Sequence, residues 1–402
     1  MTTQSLNFSR TIDASPAEVY RAFTNSTSLR EWFSDVATVD PKPRGRFYAA
    51  WNSGFYACGE YTELTPNEKA VFTWQGRHEP GQTSVEVTIR AQDGTCIVEL
   101  VHAGLGSGAE WSQMVAEATK GWQGALKNLA SVLETGQDLR FMRRPMLVIG
   151  VSDFNAEIAS QFNIPVPEGV RLDTTLESMG AHAAGLRKHD VIISLAGHPV
   201  SDFASLDAAV QNYHADDTVE VVFYRGPEKK SVDMVLSRRP LPDIPTTAQA
   251  LADFQRKRDA DIQSDLDEFF TGVSDAEASY KPDPDDWSIK EVLAHLIQGE
   301  HYWQFWMVEL MGGCEAHHDG WGGNNPTQVA ATASIYPTLQ DMLVAFQRAR
   351  DETIALLARL PENFVAQKGS FWRLAFSVAD DPFHHRVHMD QMKAALAAAR
   401  SQ

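Results

Sequence analysis

Two of the thirteen histidines in this 402-residue chain, His384 and His388, stand four residues apart. On a helix that spacing stacks both imidazoles on one face, where they can bind one ion. A third imidazole from a facing helix completes a three-nitrogen set with an open coordination position, and His295, on an apolar helical face, is the candidate. Gln391, one turn beyond His388, is placed to hold a ligand or a metal-bound water by a hydrogen bond. His385 is rotated about 100° from His384 on the helix and points elsewhere. Against this stands the ordinary fate of such residues: a lone histidine on an apolar face is usually a satisfied core residue, and His-x-x-x-His alone is a weak signal. Glu291 and Glu300 are acid/base candidates whose commoner home is a solvated helix face. Cys314, His317 and His318 lie in the glycine-rich stretch Gly312–Gly323, long enough to cover the mouth of a bundle and more simply a surface loop.

The elements that must position these groups fall into three segments of different periodicity. Beyond a proline-rich spacer, Pro240–Pro245, everything reads as helical: roughly Ala248–Phe270, Ser288–Met311, Thr338–Leu360 and Pro382–Arg400. Ser288 and Glu291 form a capping box at the start of the helix that carries His295. Four amphipathic helices make an all-α four-helix bundle over residues 246–402.

Residues 1–140 alternate at the strand period between two helices. Ser15-Pro16-Ala17-Glu18 announces the first helix, and Trp111, Val115, Ala118, Trp122, Leu126, Leu129 and Leu133 recur along the last, which Gly136 ends. Strand-like runs include Arg46–Trp51, Ala70–Trp74, Ser84–Arg90 and Cys96–His102. An antiparallel sheet curved around a long helix, an α+β arrangement, leaves a pocket between the two. Trp51, Phe55, Trp74, Trp111 and Trp122 are its candidate lining, although any one of them is more often plain core. His78 and His102 read as loop or strand-end residues, and no nucleophile–base pair is evident.

Residues 145–240 are strand-rich again, with runs at Leu147–Val151, Val170–Thr174, Asp190–Leu195, Thr218–Tyr224 and Ser231–Leu236. The stretch Phe203–Tyr213 reads as a helix. The whole chain is therefore multidomain: an α+β domain, a small β-rich domain and a helical bundle.

Composition narrows the partners. The formal net charge of −18 repels nucleic-acid backbones and anionic membrane surfaces, so neither is expected as a partner. No run approaches the roughly 18 apolar residues of a membrane-spanning helix. Cys58, Cys96 and Cys314 are few, scattered and odd in number, which excludes a disulfide framework and points to a reducing compartment. With a polar Met1–Arg10, the expectation is a cytoplasmic protein.

The motifs also carry three family resemblances. Ile12–Phe23, Leu29-Arg30-Glu31-Trp32-Phe33, Gly59-Glu60-Tyr61, Phe72-Thr73-Trp74 and Gly121-Trp122, in that order, resemble the START-like (SRPBCC) helix-grip superfamily, in the branch related to the activator of the heat-shock chaperone ATPase. That resemblance implies a pocket for a small hydrophobic ligand. Met146–Val151, Ser178–Leu186 and Asp190–Val200 resemble a PDZ domain of the permuted kind found in bacterial high-temperature-requirement proteases. By that resemblance Val148, Ile149 and Gly150 form the loop that captures a peptide or protein C-terminus, and Leu206 and Val210 face the groove. Two departures stand out: His189 occupies a place usually held by glycine, and a long stretch, Ser152–Gly169, follows the loop.

Asp286–Leu296 and Phe383–Gln391 resemble the two helical motifs of the DinB-like metal-binding superfamily, whose three ligands fall on His295, His384 and His388. The metal implied is divalent, zinc first, with nickel and iron accepting the same set. Members of that superfamily include thiol-dependent transferases and hydrolases. The resemblance thus implies a metal-dependent transferase or hydrolase acting on small thiol-linked or electrophilic compounds, with domains for hydrophobic ligand and peptide. The competing expectation is a non-catalytic stress-response adaptor related to the chaperone activators, with the metal structural. A fourth protein ligand closing the site would favour the adaptor, and an exchangeable position the enzyme.

Overall fold

The computed structural model describes residues 3–147, 149–152, 154–177, 179–210, 213–239, 241–283, 286–316, 325–380 and 384–401, and of His384 the backbone alone. Its contacts divide the chain into two compact units, Met1–Asp138 with Pro242–Gln402, and Leu139–Leu241.

The first segment runs β1 (Thr3–Ile12), α1 (Pro16–Thr24), α2 (Ser26–Trp32), β2 (Val36–Val39), β3 (Arg46–Ala50), β4 (Tyr56–Thr65), β5 (Lys69–Gly76), β6 (Thr83–Gln92), β7 (Thr95–Gly106) and α3 (Ala109–Thr135). Ser15 caps α1 with Pro16 at the first helical position and Glu18 in the first turn, as the sequence reading expects, and Ser15 and Glu18 close a capping box. The strands form one antiparallel sheet in the order β1-β7-β6-β5-β4-β3-β2. Strict alternation of burial along β5 and the first part of β6 puts one face, with Phe72, Trp74, Val85 and Val87, into the core. Helix α3 packs Trp122, Leu126 and Leu129 on that face and stops at Gly136, whose φ of 81° is left-handed.

The second unit contains α4 (Leu139–Met142), β8 (Pro145–Met146), β9 (Ile149–Ser152), α5 (Ala156–Gln161), β10 (Val170–Thr175), α6 (Gly180–Ala183), β11 (Val191–Leu195), β12 (His198–Pro199), α7 (Phe203–Val210), β13 (Thr218–Arg225), β14 (Glu228–Val235) and β15 (Ser237–Arg238). Its main sheet runs β14-β13-β11-β10-β9, with β12 on β11, while β8 and β15 pair at the two ends of the unit. The buried Asp190 carboxylate is held by Arg225 at 2.7 and 2.8 Å and accepts from the Arg187 backbone N–H.

The third segment has α8 (Ala248–Phe270), α9 (Asp275–Ser279), α10 (Ile289–Gly312), α11 (Pro326–Ile335), α12 (Leu339–Leu357), α13 (Glu362–Val365), α14 (Lys368–Ala379) and α15 (His384–Arg400). Helices α8, α10, α12 and α15 stand where the sequence predicts the four bundle helices. Helix α14 is additional: its buried Phe371, Leu374, Ala375 and Val378 add a helix that the four-helix reading lacks.

The first and third segments share one unit through a buried polar clamp. Glu315, in the turn after α10, receives two hydrogen bonds from Arg373 of α14 at 2.8 and 2.9 Å, and Arg30 of α2 stands 3.4 Å from it. Trp306 Nε1 donates to the same carboxylate at 2.8 Å, and the Thr27 hydroxyl accepts from the Glu315 backbone N–H at 3.0 Å. Burial works against the Glu315 charge, but the two guanidinium groups outweigh it and hold the carboxyl below its usual range. Beside it the fully enclosed Glu31 accepts from the Ser370 hydroxyl, and burial pushes its carboxyl up.

Candidate metal centre

Helix α10 brings His295 to the bundle interior because Ile289, Val292, Leu293, Leu296 and Ile297 surround it with an apolar face, and Ser288 and Glu291 fix where the helix begins. Helix α15 carries His388 with Met389 and Met392 buried around it. The two imidazoles meet: their ring centres lie 4.8 Å apart with planes inclined by 58°, and His295 and His388 are 7% and 9% exposed. Two imidazoles that bind one ion at 2.0–2.1 Å stand about 4.5 to 5.2 Å apart, centre to centre, for nitrogen–metal–nitrogen angles from about 90° to about 109°. The observed spacing falls inside that window.

His388 Nδ1 faces Gln391 Oε1 at 3.1 Å. The amide oxygen can only accept, so Nδ1 carries the proton and Nε2 keeps its lone pair, the tautomer a metal ligand needs. Trp287 lies against His295, ring centres 5.3 Å apart, and walls one side. The His384 backbone begins α15, one turn before His388, and its side chain lies outside the described residues. Among the described residues no group of three His, Cys, Asp or Glu side chains is gathered at metal-binding range.

The neighbouring acids have other occupations. Glu291 is tied into the helix cap and paired with Lys281 at 2.8 Å, which together outweigh its burial and lower its pKa. Glu300 does not sit on a solvated face: it accepts from the Thr353 hydroxyl of α12 at 2.6 Å, and burial pushes its carboxyl up. His385 Nε2 stands 3.8 Å from Asp265 of α8. Cys314 is exposed, and His317 and His318 lie outside the described residues.

In the first segment the candidate pocket residues split. Phe33 gathers four rings, stacking on Trp122 at 5.2 Å and meeting Trp32 and Trp51 at 5.0 Å each and Trp74 at 6.2 Å, while Phe55 lies 5.4 Å from Trp51. Trp74 and Trp122 are buried core, and Trp51 and Phe55 form a half-buried rim. Trp111 lies elsewhere, over Gly106, where an added Cβ would come 2.4 Å from the indole Nε1. His102 is not a loop or strand-end residue. It is fully buried inside β7, bonded to Thr83 Oγ1 at 2.7 Å and to Trp122 Nε1 at 3.1 Å. The missed signal is its phase, since His102 follows Val98 and Leu100 on the buried face of the strand.

In the second unit, β9 ends the strand order, with Ile149 and Gly150 registered against Thr175 and Thr174. Val148 lies outside the described residues. Leu206 and Val210 are 0% and 7% exposed, packed in the core beneath α7, whose N-terminal Phe203 is exposed. His189 adopts the left-handed φ of 72° that its glycine-like place demands, stacked on Phe162 at 4.6 Å.

Three family models match successive stretches of the chain: "Activator of Hsp90 ATPase homolog 1-like protein" over residues 13–134, "PDZ domain" over 165–236 and "DinB superfamily" over 258–392. The chain therefore carries an Hsp90-activator-like α+β domain, a PDZ domain and a DinB-like helical domain, in that order. Among curated proteins it is 30% identical over 105 residues to a probable periplasmic serine protease do/HhoA-like of Haemophilus influenzae, covering 26% of this chain and 22% of that protein. It is 28% identical over 116 residues to the periplasmic pH-dependent serine endoprotease DegQ of Escherichia coli, covering 29% of this chain and 24% of that one. The chain thus spans about a quarter of the length of these relatives. Among solved structures, an HSP90 activator from Plasmodium falciparum is 25% identical over 32% of this chain and 96% of its own, with a TM-score of 0.29. The Aha1 dimer from Colwellia psychrerythraea is 21% identical over 33% and 96%, with a TM-score of 0.29. No helix among the described residues is long and apolar enough to cross a membrane.

Proposed function

We propose that the DinB-like bundle holds one divalent ion on His295, His384 and His388, and that the protein is a metal-dependent transferase or hydrolase for small thiol-linked or electrophilic compounds. The observation that carries this reading is the pair of buried imidazoles from α10 and α15, 4.8 Å apart, one of them bonded through Nδ1 to Gln391. When bound, a divalent ion polarises a substrate or lowers the pKa of a bound water or thiol, with zinc first and nickel or iron accepted. The chain's own part is to present the imidazoles from helices rather than loops, to keep His388 in one tautomer through Gln391, and to shield the rings with Trp287.

The other domains supply binding. The outer edge of β9 offers backbone groups to an extended peptide, with exposed Val151 and Phe203 available to its side chains. The half-buried Trp51 and Phe55 are where a small hydrophobic ligand would reach the first domain. The cysteine usage supports a reducing, cytoplasmic setting, whereas the relatives matched by the PDZ region are named periplasmic.

Elemental analysis of the purified full chain tests the reading. One divalent ion per chain is expected. His295→Ala and His388→Ala should each lower its content steeply, and His385→Ala should leave it unchanged. A chain that binds no ion after loading, or equal retention in all three variants, overturns the site.

A further inference from the structure

Gln298 lies one turn beyond His295 on α10, about 60° away around the helix and so on the same side. It is 4% exposed, and its Nε2 donates to the Gln328 carbonyl at 2.8 Å and to Thr332 Oγ1 at 2.7 Å, both on α11. The Gln328 carbonyl can only accept, so the amide cannot be turned round: Nε2 must face α11. That pins Oε1, which is buried and meets no hydrogen-bond donor among the described residues. A buried acceptor without a donor is destabilising, because its hydration is lost and nothing replaces it. An apolar side chain of the same length would avoid that cost, so the oxygen calls for a polar partner.

We propose that Gln298 Oε1 is the oxygen partner of the histidine centre, accepting a hydrogen bond from the water that fills the ion's open position. This inference rests on the metal reading above and adds a positioning residue to it. Gln328 and Thr332 of α11 take up both amide donors, so the group left to the water is a neutral oxygen that adds no charge to the ion. Outer partners of this kind change metal affinity by about 10- to 100-fold.

The test uses the full chain stripped of metal, with zinc affinity measured by chelator competition and the melting temperature of the metal-free form measured in parallel. Gln298→Met removes the oxygen and both amide donors at nearly constant length. Gln298→Glu keeps an oxygen and loses the donors to α11. The expected result is 10- to 100-fold weaker zinc binding by Gln298→Met and wild-type or tighter binding by Gln298→Glu, although both lose the α11 contacts. Wild-type affinity in Gln298→Met with a lowered metal-free melting temperature overturns the proposal, because the residue then only pins α11. Should Gln298→Met fail to fold, Gln298→Glu decides alone: retained affinity supports the role and a tenfold loss overturns it. A wild-type chain that binds no zinc removes the metal reading itself, an outcome distinct from these.

Discussion

The buried His102 makes the stability of the first domain pH-dependent in a way that can be worked out in advance. The Trp122 indole N–H can only donate, so it fixes His102 Nδ1 as acceptor, and the proton sits on Nε2, which donates to Thr83 Oγ1. The Thr83 hydroxyl passes its own proton to the Trp74 carbonyl at 3.1 Å. Protonating Nδ1 would break the indole bond and put a charge in an apolar core, and burial lowers the His102 pKa to about 4 from 6.5. A depressed folded-state value means that the unfolded chain takes up the proton first, so stability is present above pH 6.5 and is lost as pH falls toward 4. Between pH 7 and pH 5 the loss amounts to about 2 kcal/mol. Denaturant unfolding of the wild type and of His102→Gln at the two pH values isolates it. The variant is less stable at pH 7, but its own decline to pH 5 is smaller by about 2 kcal/mol. Glu31, whose carboxyl burial pushes up, works in the opposite direction and is common to both proteins, so it cancels. Parallel declines in the two proteins would refute the argument.

Two further outcomes follow from the junction between the first and third segments. Glu315→Ala leaves Arg30 and Arg373 without their shared carboxylate and should cost about 3–5 kcal/mol, splitting the thermal transition of the larger unit in calorimetry; an unchanged single transition would show that the clamp does not join them. Gly136→Ala puts a side chain on a φ of 81°, with its Cβ 2.5 Å from the Lys368 carbonyl oxygen and 2.6 Å from Trp372 Cβ, and should cost at least about 1–3 kcal/mol in denaturant unfolding.

Much of the local structure was legible because local chemistry decides it. The Ser15 cap, the Ser288 capping box and the Gly136 stop need only their immediate neighbours, and the strands of the middle unit carry apolar runs that show in the sequence. Strand β1 was not legible: it is mostly exposed, and its identity comes from pairing with β7, about ninety residues away. Helix α14 did carry a readable stripe in Phe371, Leu374, Ala375 and Val378, obscured by its position so close to α15. The clamp could not be seen in the sequence, since Arg30, Glu31, Glu315 and Arg373 look like surface charges until the fold buries them together. Of the candidate centre, the two rings that meet come from helices whose periodicity was readable. The Gln298 acceptor depends on α11, which the sequence reading did not separate from the loop before it.

The contrast between His102 and Gln298 shows where chemistry is expected in this molecule. A polar group in a core is stable when every donor and acceptor on it is matched, and such a group asks for nothing more. His102 is of that kind: both ring nitrogens and the partner hydroxyl are satisfied, and the ring serves packing among Trp74 and Trp122. Among the described residues the bundle is different. Asp259 Oδ2, Gln298 Oε1 and Arg350 Nε are all buried there without a matching partner. Well-packed apolar residues at those positions would give a more stable bundle. A helical domain that instead keeps unmatched polar atoms in its interior, along with two buried imidazoles in ring contact, leaves polar chemistry to be matched, whereas the aromatic core of the first domain is already complete.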